Sequence, residues 1–188
     1  MNHLGTRTIE TERLILRKFK LDDAENMYKN WASDDEVTKF LRWPTHSDVE
    51  VSKSVILRWL DEYSLENNYQ WCIEIKETRE AIGSIGAFNI SDNIESLEIG
   101  YCIGKFYWKK GIVTEAFYAA IDFFFSEVGV NRIEAKHDVN NPASGKVMIK
   151  CGLKFEGILR KASKNNMGIC DIAVYAILKE DWLKQFMD

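Results

Sequence analysis

Proline is almost absent from this chain of 188 residues; only Pro44 and Pro142 occur. With no low-complexity or Pro/Gly/Ser-rich stretch, nothing marks a linker, and one domain spanning residues 1–188 is expected. Cysteine is sparse as well. Cys72, Cys102, Cys151 and Cys170 lie far apart and form no CxxC pair. This argues against a disulfide framework or a zinc site, and for free, mostly buried thiols in a reducing compartment. Positive charge is in deficit: 25 Lys and Arg face 29 Asp and Glu, for a net charge of -4. A large electrostatic nucleic-acid footprint is thereby excluded, although a local basic patch can still hold a phosphorylated ligand. The densest apolar run, "AFYAAIDFFF", is too short to cross a bilayer and contains Asp122. The opening "MNHLGTRTIETERL" lacks the apolar stretch of a signal peptide, so the cytoplasm is the expected compartment and no membrane partner is foreseen.

What is present is ordinary for a globular domain, with 46% hydrophobic and 29% charged residues, enough to build a sizeable core. "ERLILRKF" alternates as a strand. "DDAENMYKNWAS" puts Ala24, Met27, Tyr28 and Trp31 on one helical face, and a second helix is expected over 47–64. Between them, "LRWPTH" is irregular, because Pro44 disfavours helix at Trp43. Strands are expected over 71–76, 81–90 and 96–104 as an antiparallel meander, followed by a helix over 114–128. A strand over 132–139, a helix after "NNPAS" and strands over 154–161 and 171–178 complete the order. Asn141 can cap that last helix, Pro142 can take its first position and Gly152 can close it. The sequence of elements indicates an α/β (α+β) domain built on one mixed sheet.

Two stretches carry chemistry. In "YWKKGIVTEAF" (107–117), two lysines and a glycine stand at the mouth of a helix that directly follows a strand. This is either a plain strand-to-helix turn or a cradle for phosphate, since helix N-termini offer unpaired N–H groups and a positive dipole. "GYCIGKF" only mimics a Walker loop: its spacing is one residue short, and Phe106 replaces the hydroxyl that would hold magnesium. In "LEIGYCIG", alternation places Glu98, Gly100 and Cys102 on one face and Leu97, Ile99, Tyr101 and Ile103 on the other. A Glu inside an apolar strand must be solvated, paired with a Lys, or functional.

Taken in order and spacing, "LEIGYCIG", "YWKKGIVTEA" and "DVNNPASGKVMIKCGLKFEG" resemble the GNAT N-acetyltransferases, and with "TERLILRKFKLDDAE" the RimJ/RimL-like branch in particular. The likeness covers about residues 8–182. It implies a GNAT fold, a single mixed, mostly antiparallel twisted sheet flanked by helices, and acetyl-CoA as cofactor. It also implies that Lys109, Lys110, Gly111, Ile112, Val113 and Thr114 hold the diphosphate through backbone amides. Trp108 replaces the family's leading polar residue and Val113 is bulkier than the usual small one. Splaying of the strand would expose backbone groups of Cys102 and Ile103 to the cofactor. Glu98 takes the position of the family's general base, Asn141 that of the pantetheine contact, and Ser144 that of a donor to the departing thiolate. Seven residues after Asn141, where many members carry a Tyr, this chain has Met148. Trp43 and His46 fall where early helices wall the acceptor site, while His137 reads as structural. Asp171 and Tyr175 resemble a pair that positions the last strands.

The implied activity is acetyl transfer to a primary amine, foremost a protein or peptide N-terminal α-amine, by direct transfer in a ternary complex. A small amine such as a polyamine, amino acid or drug, and a non-catalytic acyl-CoA-binding module, stay open as alternatives. No metal is expected, and the chain is expected as a monomer or homodimer.

Overall fold

The computed structural model describes residues 1–184. Alternation governs its strands, as the fully buried Leu14 and Leu16 show. Eight strands form one sheet: β1 (Ile9–Glu10), β2 (Leu14–Arg17), β3 (Tyr69–Ile75), β4 (Ala81–Ser91), β5 (Ser96–Ile103), β6 (Arg132–Asp138), β7 (Lys154–Asn165) and β8 (Gly168–Leu178). Their spatial order is β1-β2-β3-β4-β5-β6-β8-β7. Only β5 and β6 run parallel; every other neighbouring pair is antiparallel. The helices are α1 (Asp23–Met27), α2 (Asp35–Thr38), α3 (Val49–Glu62), α4 (Ile112–Phe123), α5 (Pro142–Lys150) and α6 (Lys179–Lys184). Among the described residues no helix is long and apolar enough to cross a membrane.

Each sheet face has its own core. On one, Tyr69 and Trp71 of β3 meet Phe123 and Phe124 at the end of α4, with ring centroids 4.9–6.1 Å apart and mostly edge-on. On the other, Cys72, Ala81 and Cys102 pack under Ala24, Met27, Trp31 and Ile56 from α1, the turn after it and α3. The α3 start is fixed by Asp48, whose Oδ1 accepts from the amides of Glu50 and Val51 at 2.9 and 3.1 Å.

The expected meander is present, and the helices expected over 22–33 and 114–128 both run on into wider π-helical turns, over Tyr28–Ala32 and Phe124–Val128. Differences concentrate where side chains face water. β7 and β8 extend past the expected ends into a long hairpin joined at Asn165 and Gly168. "ASKNNMGIC" has no apolar alternation to announce it, because its anchors are polar: Asn165 bonds to Asp138, and Asn166 to Thr38, Leu41 and Trp43. The short β1, α2 and α6 carry too few residues for a period to register.

One polar knot ties the N-terminal strand to the sheet. Arg17 Nη1 and Nη2 each donate to Asp23 at 2.8 Å, and Nε pairs with Glu74. All three side chains are nearly inaccessible, with side-chain exposures of 11%, 8% and 3%. Removing the cation would leave Asp23 with only the Lys20 amide and Glu74 with only Arg79, and breaking such a buried network costs about 3–5 kcal/mol. Arg17→Met should therefore lower the unfolding free energy in urea by about that amount; a loss below about 1 kcal/mol would show the knot to be solvent-relaxed.

Candidate active site

The site begins where two strands part. β5 and β6 pair only at Ser96, Leu97 and Glu98, against Arg132, Ile133 and Glu134. Past that point β5 stays with β4 as far as Ile103↔Gly83, and β6 stays with β8 as far as Asp138↔Ile172. A wedge opens between them. Gly104 N donates to Ile82 O at 2.9 Å. In the antiparallel ladder this parity commits the even-numbered residues of β5 to β4 and turns the odd-numbered ones toward β6; the Glu98↔Glu134 pair takes the Ile99 N–H, and the backbone of Tyr101 and Ile103 faces the wedge. The expectation for Cys102 is corrected accordingly, since its backbone faces β4. At Ile103 the carbonyl accepts from Trp108 Nε1 at 3.0 Å, which leaves its N–H free for the wedge. The Trp108 indole thus closes the turn that a polar residue was expected to open.

Beyond that turn the chain reaches α4 through two left-handed residues, Lys109 (φ 61°) and Gly111 (φ 76°). No side chain caps α4, so the amides of Ile112, Val113 and Thr114 lack intrahelical acceptors. Val113 directs its bulk into the core beneath, away from these amides. Arg13, which the sequence did not mark, braces the loop: Nη1 donates to Lys110 O at 3.1 Å and Nε to Glu115 at 2.7 Å. Glu115 also accepts from Thr11 Oγ1 and the Arg13 amide. Lys109, Lys110 and Arg13 make this loop basic. Uncapped N–H groups at a left-handed glycine suit a diphosphate, and no acidic side chain caps them.

Across the wedge stands α5. Asn141 occupies its N-cap position without using its side chain as a cap. Ser144 Oγ donates to the Tyr101 hydroxyl at 3.1 Å, and that hydroxyl donates to Ser144 O at 3.0 Å. Burial raises the Tyr101 pKa well above its ordinary value, so the phenol stays protonated. Tyr101 was read only as a core residue; its link to Ser144 spans 43 residues and leaves no local signal. Met148 is buried at the inner end of the wedge. His137 lies outside this cluster: Nδ1 donates to Asp138 O at 2.7 Å, and the ring stacks on Tyr175. Asp171 accepts from the Lys161 amide and so holds the β7–β8 ribbon.

On the opposite face a pocket of about 380 Å³ opens onto the same wedge. Trp31, Phe40, Trp43, Trp59 and Phe88 give it aromatic walls, and Glu98 lies in its lining. Glu98 is 4% exposed, and its Oε2 accepts from Lys136 Nζ at 2.8 Å and Asn89 Nδ2 at 3.0 Å. Of the alternatives for a Glu in this strand, pairing with a Lys is thus realised, with the partner 38 residues away. Burial pulls the Lys136 ammonium down, but Glu98 and Glu134 outweigh it and hold its pKa above the ordinary value. Cys102 shares this face, and burial pushes its thiol up to about 12. Trp43 and His46 both line the pocket, their rings 5.2 Å apart. His46 is buried, with Nδ1 2.8 Å from Ser52 Oγ. Among the described residues no group of three or more His, Cys, Asp or Glu is placed to hold a metal ion.

Residues 13–154 match the profile of the acetyltransferase (GNAT) domain family. The chain is 36% identical to the uncharacterized N-acetyltransferase p20 of Bacillus licheniformis, over 93% of this chain and 98% of p20. It is 29% identical to the ribosomal-protein-serine acetyltransferase of Escherichia coli, over 59% of this chain and 62% of that one. Among solved structures, the microcin C7 self-immunity acetyltransferase MccE, in complex with acetyl-CoA and AMP, superposes with a TM-score of 0.79 at 26% identity, covering 89% of this chain and 93% of that one.

His46 makes one pH prediction. Burial, against a smaller opposing effect of Asp48, holds its folded pKa below the ordinary 6.5. The unfolded chain therefore binds the proton first as pH falls, and stability drops from about pH 6.5 downward until the folded pKa is passed. His46→Gln should flatten the decline of Tm between pH 7 and 5; an unchanged slope would remove His46 as its source.

Proposed function

The chain belongs to the GNAT acetyltransferase family and is an acetyl-CoA-dependent N-acetyltransferase, and on that premise we propose that its acceptor is the α-amine of a protein or peptide. The observation that carries this reading is the Glu98–Lys136 pair. With Oε2 already bonded to an ammonium and an amide, this carboxylate has only Oε1 left for an incoming amine. It suits an amine that needs little help. At pH 7, freeing an α-amine of its proton costs about 1.4 kcal/mol, against about 4.6 kcal/mol for a lysine-type amine. Arg42, Arg58 and Lys136 in the lining also disfavour a polycationic acceptor. Likeness to a ribosomal-protein-serine acetyltransferase, and to the RimJ/RimL-like branch, points the same way.

In this reading the amides of residues 109–114, with Lys109 and Lys110, hold the diphosphate, and Arg13 keeps their loop in shape. The Ile103 N–H and the uncommitted Asn141 side chain take the pantetheine arm. Acetyl-CoA supplies the acetyl group as an activated thioester. Glu98 takes one proton from the acceptor ammonium, through water, at its Oε1, because both of its hydrogen bonds fall on Oε2. The second nitrogen proton ends on the sulfur as the C–S bond gives way to the new amide bond. Ser144, bonded to Tyr101, is assigned as the donor to that sulfur. A thiolate of pKa near 8.5 is already a fair leaving group, so this pair acts mainly by positioning. Cys102, its thiol pushed up to about 12, is no nucleophile, and the acetyl group passes directly to the amine. Trp43 and His46 shape the acceptor wall. Four thiols outside any disulfide fit a reducing compartment, and we place the protein in the cytoplasm.

Two variants test the assignments. Gly111→Val forces a β-branched side chain into a left-handed position, at about 1–2 kcal/mol or more, and should weaken acetyl-CoA binding in calorimetry at least about tenfold. Its far-UV spectrum should stay native, and an unaltered Kd would sink the diphosphate assignment. Glu98→Gln should lower kcat toward an α-amine peptide by about 10²-fold or more; equal rates at all pH values would remove Glu98 as base. The acceptor class is decided with labelled acetyl-CoA and a clarified cell extract. Label at protein N-termini supports the reading, whereas label only in small molecules overturns it.

A further inference from the structure

The acceptor pocket carries an excess of positive charge at its rim, where Arg42 and Arg58 are both exposed. Its lining holds three cations, Arg42, Arg58 and Lys136, against one carboxylate, Glu98, in a chain whose net charge is -4. Lys136 is spent on Glu98 and Glu134, at 2.8 and 3.2 Å. Neither Arg42 nor Arg58 forms a hydrogen bond or ion pair among the described residues. Trp31, fully buried in the same lining, has an indole N–H with no acceptor.

Both arginines stand on fixed backbone. Arg58 projects from α3 beside Trp59. The irregular segment bearing Arg42 is pinned to the β7–β8 turn: Asn166 N donates to Leu41 O at 3.2 Å, and Asn166 Nδ2 donates to Thr38 O and Trp43 O at 2.9 Å each. Two exposed guanidinium groups at the rim of one pocket favour an anion over a cation there. Arginine is also the side chain best shaped to grip carboxylate or phosphate with two parallel bonds.

We propose that Arg42 and Arg58 read an anionic group on the acceptor, close to the amine that Glu98 receives, so that the enzyme selects α-amines followed by acidic residues. This rests on the peptide reading above. The acceptor is then dipolar: its amine meets the one carboxylate of the pocket and its acidic side chain meets the two unspent arginines.

The test compares peptides with one N-terminal residue and Asp, Ala or Lys at the next two positions. For the wild type, kcat/KM should be at least about tenfold higher for the Asp peptide than for the Ala peptide, with Lys lowest, and the preference should shrink as salt is raised. In Arg42→Gln and Arg58→Gln the Asp-over-Ala ratio should fall toward one, through KM. In the double variant Arg42→Glu/Arg58→Glu it should invert in favour of the Lys peptide, which a merely structural role would not produce. Equal use of Asp and Ala peptides by the wild type, or an unaltered ratio in the variants, overturns the proposal. If peptides fail but free aspartate or a phosphorylated amine is acetylated in an arginine-dependent way, the anion site stands and the peptide reading falls. Binding without turnover covers the remaining case. N-acetylaspartate should bind the wild type more tightly than N-acetylalaninamide and lose that advantage in the double variant; equal binding overturns the proposal.

Discussion

The parting of β5 from β6 is the constraint on which the site depends. It is the only parallel contact in the sheet, and a parallel neighbour requires a crossover of a dozen or more residues with its helix. That crossover is the basic loop and α4. Were the two strands to stay paired, the N–H groups of Tyr101 and Ile103 would be consumed by the ladder, as that of Ile99 already is at the Glu98↔Glu134 pair. Because they separate after Glu98, a row of backbone groups is left for a ligand. Tyr101 fills the wedge, its ring 5.3 Å from Phe117 of α4 and its hydroxyl bonded to Ser144 of α5. The same side chain therefore keeps the strands apart and orders the far wall.

Glu98 sits at the last paired position before the wedge, and its environment follows from that place. Pairing of β5 with β6 sets Glu98 opposite Glu134, and Lys136, two residues on, bridges both carboxylates. Arg132 continues the series to Glu134 and Glu156. Alternating charges along one face let a carboxylate remain buried beside an aromatic pocket, where alone it would be driven to its neutral form. That placement leaves Glu98 Oε1 as the carboxylate oxygen without a hydrogen bond.

Much of this was legible in the sequence because it is local. Alternation in "LEIGYCIG" sorted Glu98 and Cys102 from Leu97, Ile99 and Ile103, and the two cores divide them the same way. The glycine at the mouth of α4 was legible for the same reason, since a left-handed turn leaves few other choices. Partners across the sheet were not. Lys136 lies on a strand whose alternation places Arg132, Glu134 and Lys136 together, a charged face that could have signalled the bridge. Tyr101 looked like core because a buried phenol and a buried Phe give the same pattern. Arg42 stood next to Trp43 in a stretch without period, and only the Asn166 clamp gives that stretch a fixed place. The face of Cys102's amide depends on ladder parity, which a one-residue change of register would reverse.

The two chemical ends of the site lie on opposite faces of the sheet, and this makes the wedge more than a groove. The loop and α4 belong to the face that carries Ile99 and Ile103, whereas the aromatic pocket belongs to the face that carries Glu98 and Cys102. Ile99 and Tyr101 nevertheless line the pocket, which they can do only through the gap between β5 and β6. A thioester held from one side and an amine offered from the other therefore meet edge-on through the sheet. Cys102 lies between them, its thiol pushed up to about 12 by burial. In the direct transfer proposed above, the sheet brings the two reactants into line. Proximity of this kind replaces a bimolecular encounter and can supply several kcal/mol of the barrier. In the proposed reaction that gain comes in addition to proton removal at Glu98 Oε1.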